Sequence, residues 1–535
     1  MTSPEALVQR LLDQTKKTAD VLDYEGLRTS YEQVLGALEV SPAESHIWRD
    51  GTDVIGATYE RLLSGALRRD AGQFFTPFWA GEVMAGWLFE EEIDLLLDPG
   101  CGSGGLLVPA ARHPRRGSAR LLGIDLDPLA IKMADANRRV RAIEQLDLRV
   151  ANFLLEPFDE RPGGVICNPP YSRHHVIPAA DKMAIHNGFT QRLGIAISRL
   201  AALHVLFLLR ALEVSSDDAR IAFITPSSWL DVNYGRRVKR WLLEHAHVEA
   251  MILIDAEHLF FDGALTTAAI TLIRKGAPSD RATKILRLSG GLPEPAEVLA
   301  LLRNEPSETK LLVESVCLSA NEKWAGAKPK PRAGVPLKDV ARIRRGIATG
   351  ANGFFVISEQ TRRKRGIPVE QLKPCVTSPR AITLSELTEE AFAALPEDVP
   401  RWLVDSPEPA AGQAKTPLGV YLRYGRRKRV HKGYLAANRK LWYSLEQRGK
   451  SPILFSYFNR SRPRFVRNVI GAVPLNNWLI VEPNDGIDLG ELYEALTSEN
   501  AMRQLRERSR VYGAGLWKLE PSELGEIRLP NTLKK

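Results

Sequence analysis

The tetrapeptide Asn168-Pro169-Pro170-Tyr171 follows an apolar stretch, residues 163–167, that has the composition of a buried strand. Its two prolines end that strand and remove two backbone N–H donors. The polar atoms that remain are acceptors, chiefly the Asn168 side-chain oxygen and the Pro169 carbonyl oxygen, and Tyr171 adds an aromatic face. Two acceptors can take the two hydrogens of an NH2 group while its planar ring stacks on the tyrosine. The tetrapeptide therefore predicts a site for a planar amine.

A glycine-rich turn, Asp98 to Gly105 (DPGCGSGG), lies between a predicted strand and a predicted helix. Glycines let the backbone turn tightly and approach a ligand closely. The turn is not the GxGxxG dinucleotide fingerprint and no Walker lysine follows it, so the ligand need not carry phosphate. Taken alone, the turn fits a purely structural role as well as a binding role.

Two more predicted strands end in residues suited to a nucleoside. Asp125 can accept hydrogen bonds from both hydroxyls of a ribose, because Asp127 before Pro128 is better placed to cap the next helix. Asn152 can bind an exocyclic amine and Phe153 can stack on a purine. Taken alone, a phenylalanine in this position is more often an ordinary core residue.

These residues must be positioned by the segment 46–285, where strand and helix patterns alternate. Such alternation is typical of a parallel sheet covered by helices. We therefore predict an α/β fold with a doubly wound, seven-stranded sheet whose last two strands form a hairpin. The predicted strands are residues 93–99, 119–127, 146–152, 163–170, 219–226, 248–255 and 265–275.

Three further segments complete the predicted organisation. Residues 1–45 place apolar residues three and four positions apart, which predicts an N-terminal helical segment. Residues 286–336 are predicted to form a connector that ends in a stretch rich in proline, glycine, alanine and lysine. Residues 337–525 are predicted to form a second domain of mixed α+β structure with short strands.

Positive charge is concentrated in the last third of the 535-residue chain. Residues 331–535 carry a net charge of +14 and residues 1–330 a net charge of −5, within a total of +9. This asymmetry predicts that the last third faces a polyanion, although a merely solvated basic surface remains open.

Other classes of protein are disfavoured by composition. The four cysteines form neither a CxxC pair nor a cluster with histidine, so we expect no disulfide framework and no metal site. There is no run of 18 apolar residues and no apolar signal core, so we expect a cytoplasmic protein.

The order of these motifs resembles that of the S-adenosylmethionine-dependent DNA adenine-N6 methyltransferases of restriction-modification systems, in their gamma class. In that family an FTP-type motif precedes the glycine-rich turn, the ribose-binding acid, the amine-binding pair and NPPY. Here the same order is met by 75–77, 98–105, Asp125, 152–153 and 168–171. Residues 56–77 are also similar to part of Type I modification subunits. The resemblance covers about residues 50–525 and includes a fused C-terminal target-recognition domain.

The resemblance implies that S-adenosylmethionine is the cofactor and assigns roles to the matching residues. The catalytic residues would be Asn168, Pro169, Pro170 and Tyr171. The residues in contact with the cofactor would be Phe75, Thr76, Pro77, Asp98, Gly100, Gly102, Asp125, Asn152, Phe153 and Asn168. The family often has aspartate where this chain has Asn152, whose oxygen can still accept a hydrogen bond, so we expect weaker binding at most.

The family also implies that the target adenine is flipped out of the duplex and stacked between two aromatic rings. Tyr171 would supply one ring. The second is expected before the final hairpin, where Phe260 and Phe261 occur, and we favour Phe261. That both phenylalanines belong to the core remains open.

Double-stranded DNA is the expected partner of the basic domain, through arginines and lysines that contact phosphates and guanine edges. The candidates are Arg344, Arg345, Arg362, Arg363, Arg426, Arg427, Lys428, Arg429, Arg462, Arg464 and Arg467. No nuclease motif is recognisable, so any restriction endonuclease or other defence subunit would be a separate partner.

Two other functions remain open from the sequence. The NPPY site also suits enzymes that methylate RNA bases or a glutamine amide, because each substrate offers a planar NH2 group. The chain could also be a DNA-binding defence subunit with an inert cofactor fold. The large basic domain favours DNA over the first alternative, and the intact motifs favour catalysis over the second.

Overall fold

A mixed sheet of nine described strands forms the centre of the first of two compact units, Met1–Gly326 and Ala327–Lys535, in this computed structural model. No helix among the described residues has both the length and the apolar character to cross a bilayer. The structure describes residues 3–19, 24–39, 45–49, 53–62, 76–171, 178–198, 201–231, 235–254, 268–276, 281–288, 291–307, 311, 313–325, 333–380, 382, 384–409, 411–447, 449–459, 463–508, 510–512 and 516–533.

The sheet of the first unit has the strand order β3-β2-β1-β4-β5-β7-β6-β8-β9. The first five strands in this order are parallel, and β7 runs antiparallel to both of its neighbours. Its strands are β1 Leu95–Asp98, β2 Arg120–Asp125, β3 Leu146–Val150, β4 Gly164–Cys167, β5 Arg220–Pro226, β6 Ala246–Ile254, β7 Ala268–Lys275, β8 Thr283–Leu288 and β9 Val313–Val316.

The central strands β1, β4 and β5 are buried along their whole length. Their continuous apolar sequences, such as LLLD and GVIC, suit parallel strands that are covered on both faces. Successive residues of β1 point to opposite faces of the sheet, so Leu96 belongs to one hydrophobic cluster and Leu97 to the other. The doubly wound fold and its closing hairpin are therefore confirmed.

The sheet extends further along the chain than the seven predicted strands. All seven are present, and β8 and β9 continue the sheet beyond β6. The predicted boundary at residue 285 falls inside β8, and β9 lies within the segment predicted as a connector. The short β9 has no fully buried residue, which explains why its sequence carries no clear strand signal.

Helices cover both faces of this sheet, and the N-terminal helices α1–α4 pack against α7 through a cluster that includes Tyr31, Tyr59 and Met133. The described helices of the first unit are α1 Pro4–Thr18, α2 Tyr24–Gly36, α3 Ser45–Arg49, α4 Val54–Leu62, α5 Phe78–Leu88, α6 Leu107–Arg112, α7 Pro128–Val140, α8 Ala179–Leu193, α9 Leu203–Val214, α10 Gly235–His245 and α11 Pro295–Arg303.

Short strands and helices build the second unit, as the mixed α+β prediction requires. Its described sheets have the orders β11-β20-β16-β18-β14, β12-β15-β13-β19, β17-β22-β21 and β10-β23. The strands are β10 Val335–Pro336, β11 Ala341–Arg345, β12 Val356–Ser358, β13 Lys373–Val376, β14 Glu386–Leu387, β15 Pro400–Leu403, β16 Ile453–Ser456, β17 Phe458–Asn459, β18 Phe465–Asn468, β19 Val473–Pro474, β20 Trp478–Pro483, β21 Arg510–Tyr512, β22 Leu516–Lys518 and β23 Arg528–Leu529.

The five-stranded sheet separates two apolar layers. Along β16, Ile453 and Phe455 belong to one layer and Leu454 to the other, which is the two-residue period of a strand. The described helices are α12 Leu337–Val340, α13 Asn352–Phe355, α14 Glu359–Arg365, α15 Glu389–Ala393, α16 Pro417–Arg427, α17 Tyr434–Ala437, α18 Leu489–Thr497, α19 Glu499–Arg508 and α20 Pro521–Gly525.

Helix α16 carries a basic segment on a firmly packed base. The Thr416 hydroxyl accepts a hydrogen bond from the Gly419 N–H at 3.2 Å and so caps the helix. Its buried face contains Leu418, Tyr421, Leu422 and Gly425, at the spacing of one helical stripe. A Cβ on Gly425 would lie 2.3 Å from the Phe354 ring and 2.8 Å from Trp442.

Overpacking costs about 1–3 kcal/mol, and a contact of 2.3 Å with an aromatic ring belongs to the upper part of that range. Since alanine brings a gain of about 1 kcal/mol to a helix, Gly425→Ala is expected to destabilise the protein by about 1–2 kcal/mol. Urea unfolding followed by circular dichroism measures the change. Gly36→Ala is the matched control, because nothing lies within 4 Å of a Cβ on that helical glycine. Equal effects of the two substitutions would contradict the packing argument.

Candidate active site

The carboxyl ends of β3, β2, β1 and β4 meet at one edge of the sheet, because these four neighbouring strands are parallel. A cavity of about 640 Å³ opens at this edge. Of the residues predicted from the sequence, it is lined by Thr76, Asp98, Gly100, Gly102, Asp125, Asn152, Phe153, Asn168, Pro169 and Pro170. The fold thus brings together residues of five motifs that are separate in the sequence.

The glycine-rich turn is tied to the strand beside it. Gly102 has a φ of +55°, a conformation that favours glycine, and its N–H donates to Asp125 Oδ2 at 2.9 Å. The Gly100 N–H donates to Asp98 Oδ1 at 3.3 Å. A Cβ on Gly100 would contact the Phe207 ring at 3.5 Å, and both residues line the cavity. A side chain at position 100 would therefore take up space that a ligand could use.

The charged residues that line the cavity are all acidic. Within the described part of the chain they are Asp98, Asp125, Asp127 and Asp181, and no lysine, arginine or histidine lines it. Burial raises the pKa of Asp98 well above its usual value, and the Gly100 N–H opposes that rise. Burial also raises the pKa of Asp125, against hydrogen bonds from backbone N–H groups. Such a lining favours a ligand with positive charge over a phosphate.

Asn152 and Phe153 lie where β3 ends. The Asn152 side-chain oxygen accepts a hydrogen bond from the Leu154 N–H at 3.2 Å, which fixes the side chain in the turn. Phe153 is 4% exposed and packs against Phe207, with ring centroids 5.7 Å apart. Phe153 is therefore both a core residue and a wall of the cavity, so the two interpretations of this residue are compatible.

Asn168 directly follows β4, and its amide is oriented by a distant residue. The Asn168 Nδ2 donates to Thr76 Oγ1 at 2.9 Å, across 92 positions of sequence. Because the amide is planar, its oxygen lies on the side away from Nδ2. Pro169 and Pro170 line the cavity beside it. The threonine of the FTP-type motif is thus placed to orient the asparagine of the predicted amine site.

Several predicted residues are placed differently or lie elsewhere. Tyr171 does not line the cavity, and its ring packs against the core, edge-on to His204 at 6.4 Å between centroids. Pro77 occupies the N-cap position of α5 and does not line the cavity either. Phe75, Phe260 and Phe261 lie outside the described residues.

Residues of the N-terminal region also reach the site, and no role there was assigned to them from the sequence, although the resemblance over residues 56–77 includes Tyr59. Tyr59 lines the cavity, and the Asp53 carboxylate accepts hydrogen bonds from the Ser103 hydroxyl at 2.5 Å and Asn137 Nδ2 at 3.2 Å. Asp181 of α8 also lines the cavity. These contacts depend on how helices pack on the sheet, which no local pattern reports.

Five of the ten candidate DNA-binding arginines have acidic partners within the second unit. Arg362 and Arg363 bind Glu359, at 2.6 Å and 2.8 Å, and Arg362 is the main cause that lowers the pKa of this carboxyl to about 2. Arg344 pairs with Glu482, Arg345 with Glu520 and Arg467 with Glu386. Arg464 donates to the Pro379 carbonyl at 2.7 Å, and Arg462 lies outside the described residues. Much of this positive charge is therefore compensated.

The basic face, which we define as residues 426–434, is different. Arg426, Arg427, Lys428 and Arg429 are exposed, and no ion pair or hydrogen bond of their side chains occurs within the part of the chain described. Tyr434 is 82% exposed, and Arg429 has a φ of +60°. The 37 residues from Pro409 to Leu445 contain nine lysines and arginines and no aspartate or glutamate. This face has uncompensated charge for a polyanion.

The doubly wound sheet, with its glycine-rich turn and strand-end residues, defines an α/β methyltransferase. Residues 50–290 match the family model described as N-6 DNA methylase. Residues 316–535 match the model described as the C-terminal domain of the Type II methyltransferase M.Eco57I. The chain is an adenine-N6-specific DNA methyltransferase of the restriction-modification type.

Similar proteins agree with this assignment. The chain is 28% identical to the Type II methyltransferase M.AccI of Acinetobacter calcoaceticus, over 88% of this chain and 87% of that protein. It is 27% identical to the Type II methyltransferase M.XamI of Xanthomonas campestris pv. amaranthicola, over 86% of this chain and 85% of that protein. Among solved structures, the Type IIL restriction-modification enzyme MmeI in complex with DNA has the same fold, with a TM-score of 0.56, 12% identity and coverage of 97% of this chain and 78% of that chain.

Proposed function

We propose that this chain transfers the methyl group of S-adenosylmethionine to N6 of an adenine that has been flipped out of duplex DNA. The observation that carries the proposal is that Asn168, Pro169 and Pro170 line the same cavity as the glycine-rich turn and Asp125. The cavity thereby holds both a site for the methyl donor, which we call the donor site, and a site for the amine that receives the methyl group. Transfer between two bound groups requires that they lie close together. We assign modification to this chain, and a cognate endonuclease would be a separate protein.

The cavity suits S-adenosylmethionine in charge and in polar groups. This cofactor carries positive charge on its sulfonium and its ammonium group, and the cavity has four carboxylates and no described basic side chain. Each Asp125 oxygen accepts one backbone N–H, from Gly102 and from Asp127, and retains capacity for a ribose hydroxyl. Asn152 and Phe153 would bind the cofactor adenine through one acceptor and one aromatic face.

Adenine N6 needs help to react, because its lone pair is delocalised into the ring. When bound, the cofactor supplies an electrophilic methyl group on positively charged sulfur. Asn168 Oδ1 and the Pro169 carbonyl would accept the two N6 hydrogens and draw the nitrogen toward tetrahedral geometry. They would also stabilise the positive charge that develops on N6 in the transition state. Thr76 would hold the Asn168 amide in the required orientation.

The target base must leave the DNA helix, at a cost of a few kcal/mol that stacking in the pocket partly offsets. We propose that Tyr171 supplies one stacking face and Phe261, outside the described residues, the other. The Tyr171 ring now packs against the core, so stacking requires the base to approach along the cavity edge formed by Pro169 and Pro170.

The duplex would be bound by the basic face of the second unit. The carboxyl end of α16, where the helix dipole favours positive charge, carries Arg426, Arg427 and Lys428. None of the three has a described acidic partner. Arg365 extends this surface, since its guanidinium lies 4.9 Å from the Tyr424 ring centroid. Exposed arginines and lysines of this kind position a duplex through its phosphates, and an exposed tyrosine can contact bases.

Asn152→Asp is expected to increase affinity for S-adenosylmethionine about three- to tenfold. A carboxylate accepts a hydrogen bond from the adenine amine roughly twice as strongly as a neutral amide does. Aspartate also keeps the acceptor for the Leu154 N–H. Isothermal titration of the free protein measures the change, and Asn152→Ala should bind more weakly than the wild type. Weaker binding by Asn152→Asp would show that this side chain does not contact the amine.

Incubation with plasmid DNA and labelled S-adenosylmethionine, followed by sequencing for N6-methyladenine, tests the proposal directly. We expect methylation at one short sequence and none in an RNA transcript of the same sequence. Label found only in the RNA, or only in protein, would mean that RNA or protein is the substrate and that DNA is not. If the chain binds the cofactor but transfers no methyl group to any DNA, it is a binding protein without methyltransferase activity.

A further inference from the structure

Tyr59, on the N-terminal helix α4, forms part of the cavity wall. It lies within residues 56–77, which resemble part of Type I modification subunits, but that resemblance gave it no role in the site. Its side chain is 1% exposed, and its ring stacks on Tyr31 with centroids 6.0 Å apart and an interplanar angle of 9°. Close packing leaves this side chain little room to change rotamer, so Tyr59 forms a firm boundary of the cavity.

Arg28, on the neighbouring helix α2, holds this tyrosine and an acidic residue of the sheet domain together. Arg28 Nη1 donates to the Tyr59 hydroxyl at 2.7 Å and to Asp127 Oδ2 at 3.0 Å. Arg28 Nη2 donates to Asp127 Oδ1 at 2.7 Å. A two-point contact between a guanidinium and a carboxylate fixes orientation as well as distance. Both side chains are about one-fifth exposed, at 21% and 19%.

Asp127 links Arg28 to the donor site. It lines the cavity, caps α7 by accepting from the Leu129 N–H at 3.0 Å, and donates its own N–H to Asp125 Oδ1 at 2.9 Å. A continuous series of hydrogen bonds thus runs from Tyr59 through Arg28 and Asp127 to Asp125. Arg28 also compensates the charge of Asp127, one of the four aspartates that line the cavity.

We propose that the N-terminal helices form one wall of the donor site, with Arg28 as the residue that positions Tyr59 and Asp127. This inference rests on the proposed function, because it takes the ligand of the cavity to be S-adenosylmethionine. It assigns to Arg28 an effect on cofactor affinity and no part in methyl transfer. The helical segment would then be a component of the cofactor site as well as a support for the sheet.

Arg28→Ala is expected to raise the Kd for S-adenosylmethionine about tenfold, a loss of about 1.4 kcal/mol, in calorimetric titration of the full chain without DNA. The KM for the cofactor should rise to match, while kcat at saturating cofactor stays within about twofold. Arg28→Lys keeps the charge and loses the two-point contact, so its Kd should lie between those of Arg28→Ala and the wild type.

Lys132→Ala is the matched control. Lys132 of α7 pairs with Glu32 of α2, so this contact joins α2 to the helix that Asp127 caps, and neither residue lines the cavity. Its Kd should equal that of the wild type. An unchanged Kd in Arg28→Ala, or an equal rise in Lys132→Ala, would overturn the inference. If Arg28→Ala does not fold, a wild-type Kd in Arg28→Lys would overturn it. Failure of the wild type to bind the cofactor would instead overturn the proposed function.

Discussion

Asn168→Ala is expected to lower the rate of methyl transfer by about 10²- to 10³-fold or more, because it removes an acceptor placed for the charge that develops on N6. Affinity for S-adenosylmethionine should stay within about fivefold, since the substitution costs at most one neutral hydrogen bond there. Single-turnover transfer to a duplex and calorimetric titration of the cofactor measure the two effects separately.

Asn168→Asp provides the control for this experiment. A carboxylate keeps an acceptor for N6, and the Thr76 hydroxyl, which now accepts from Asn168 Nδ2, can turn and donate to it. Its transfer rate should exceed that of Asn168→Ala by at least about tenfold. Full activity in Asn168→Ala would show that the NH2 group is bound elsewhere, and the amine site proposed at residues 168–171 would be wrong.

Replacing both Arg426 and Arg427 with alanine should weaken duplex binding by about 10- to 100-fold at low salt. Neither side chain has an acidic partner within the described chain, so both charges are available to phosphates. Loss of two phosphate contacts should also reduce the slope of log affinity against log salt by about 1.8. Fluorescence anisotropy of a labelled duplex across a salt series gives both quantities.

The matched control removes the same amount of charge from compensated positions. Arg363 pairs with Glu359 and Glu397, and Arg467 pairs with Glu386, so their joint replacement by alanine should change duplex affinity about threefold at most. Equal losses in the two double variants would mean that only net charge matters. A larger loss in the control would show that the duplex binds near Arg363 and Arg467 and that the basic face is not the DNA-binding surface.

The sequence was informative about the site because four of its five motifs lie at the ends of strands. Asp98, Asp125, Asn152 and Asn168 follow or end β1 to β4, and parallel strands bring their carboxyl ends to a single edge. Strand pattern and residue chemistry were therefore sufficient to predict that these side chains would meet. The short antiparallel strand β9 was missed because four residues with no buried position carry no period.

The N-terminal wall could not be predicted in the same way. Arg28 and Asp127 are 99 residues apart, and Asp53 and Ser103 are 50 apart, so their pairing depends on how helices pack on the sheet. The charge of the second unit shows the same limit. The pairing of Arg362 with Glu359 follows from helical spacing, whereas that of Arg345 with Glu520 joins residues 175 positions apart. An argument from composition treats both arginines as free to bind DNA, although each has an acidic partner in the structure.

The described motifs of the cavity fall within residues 76–170, in the first unit, while the acid-free stretch from Pro409 to Leu445 belongs to the second. In the proposed assignment, the residues that bind the cofactor and the amine and those that contact the duplex therefore lie in separate stretches of the chain. Target choice could then change through substitutions in the second unit, with the sequence around the cavity unaltered. Divergence among relatives should accordingly be slower around the cavity than across the basic face.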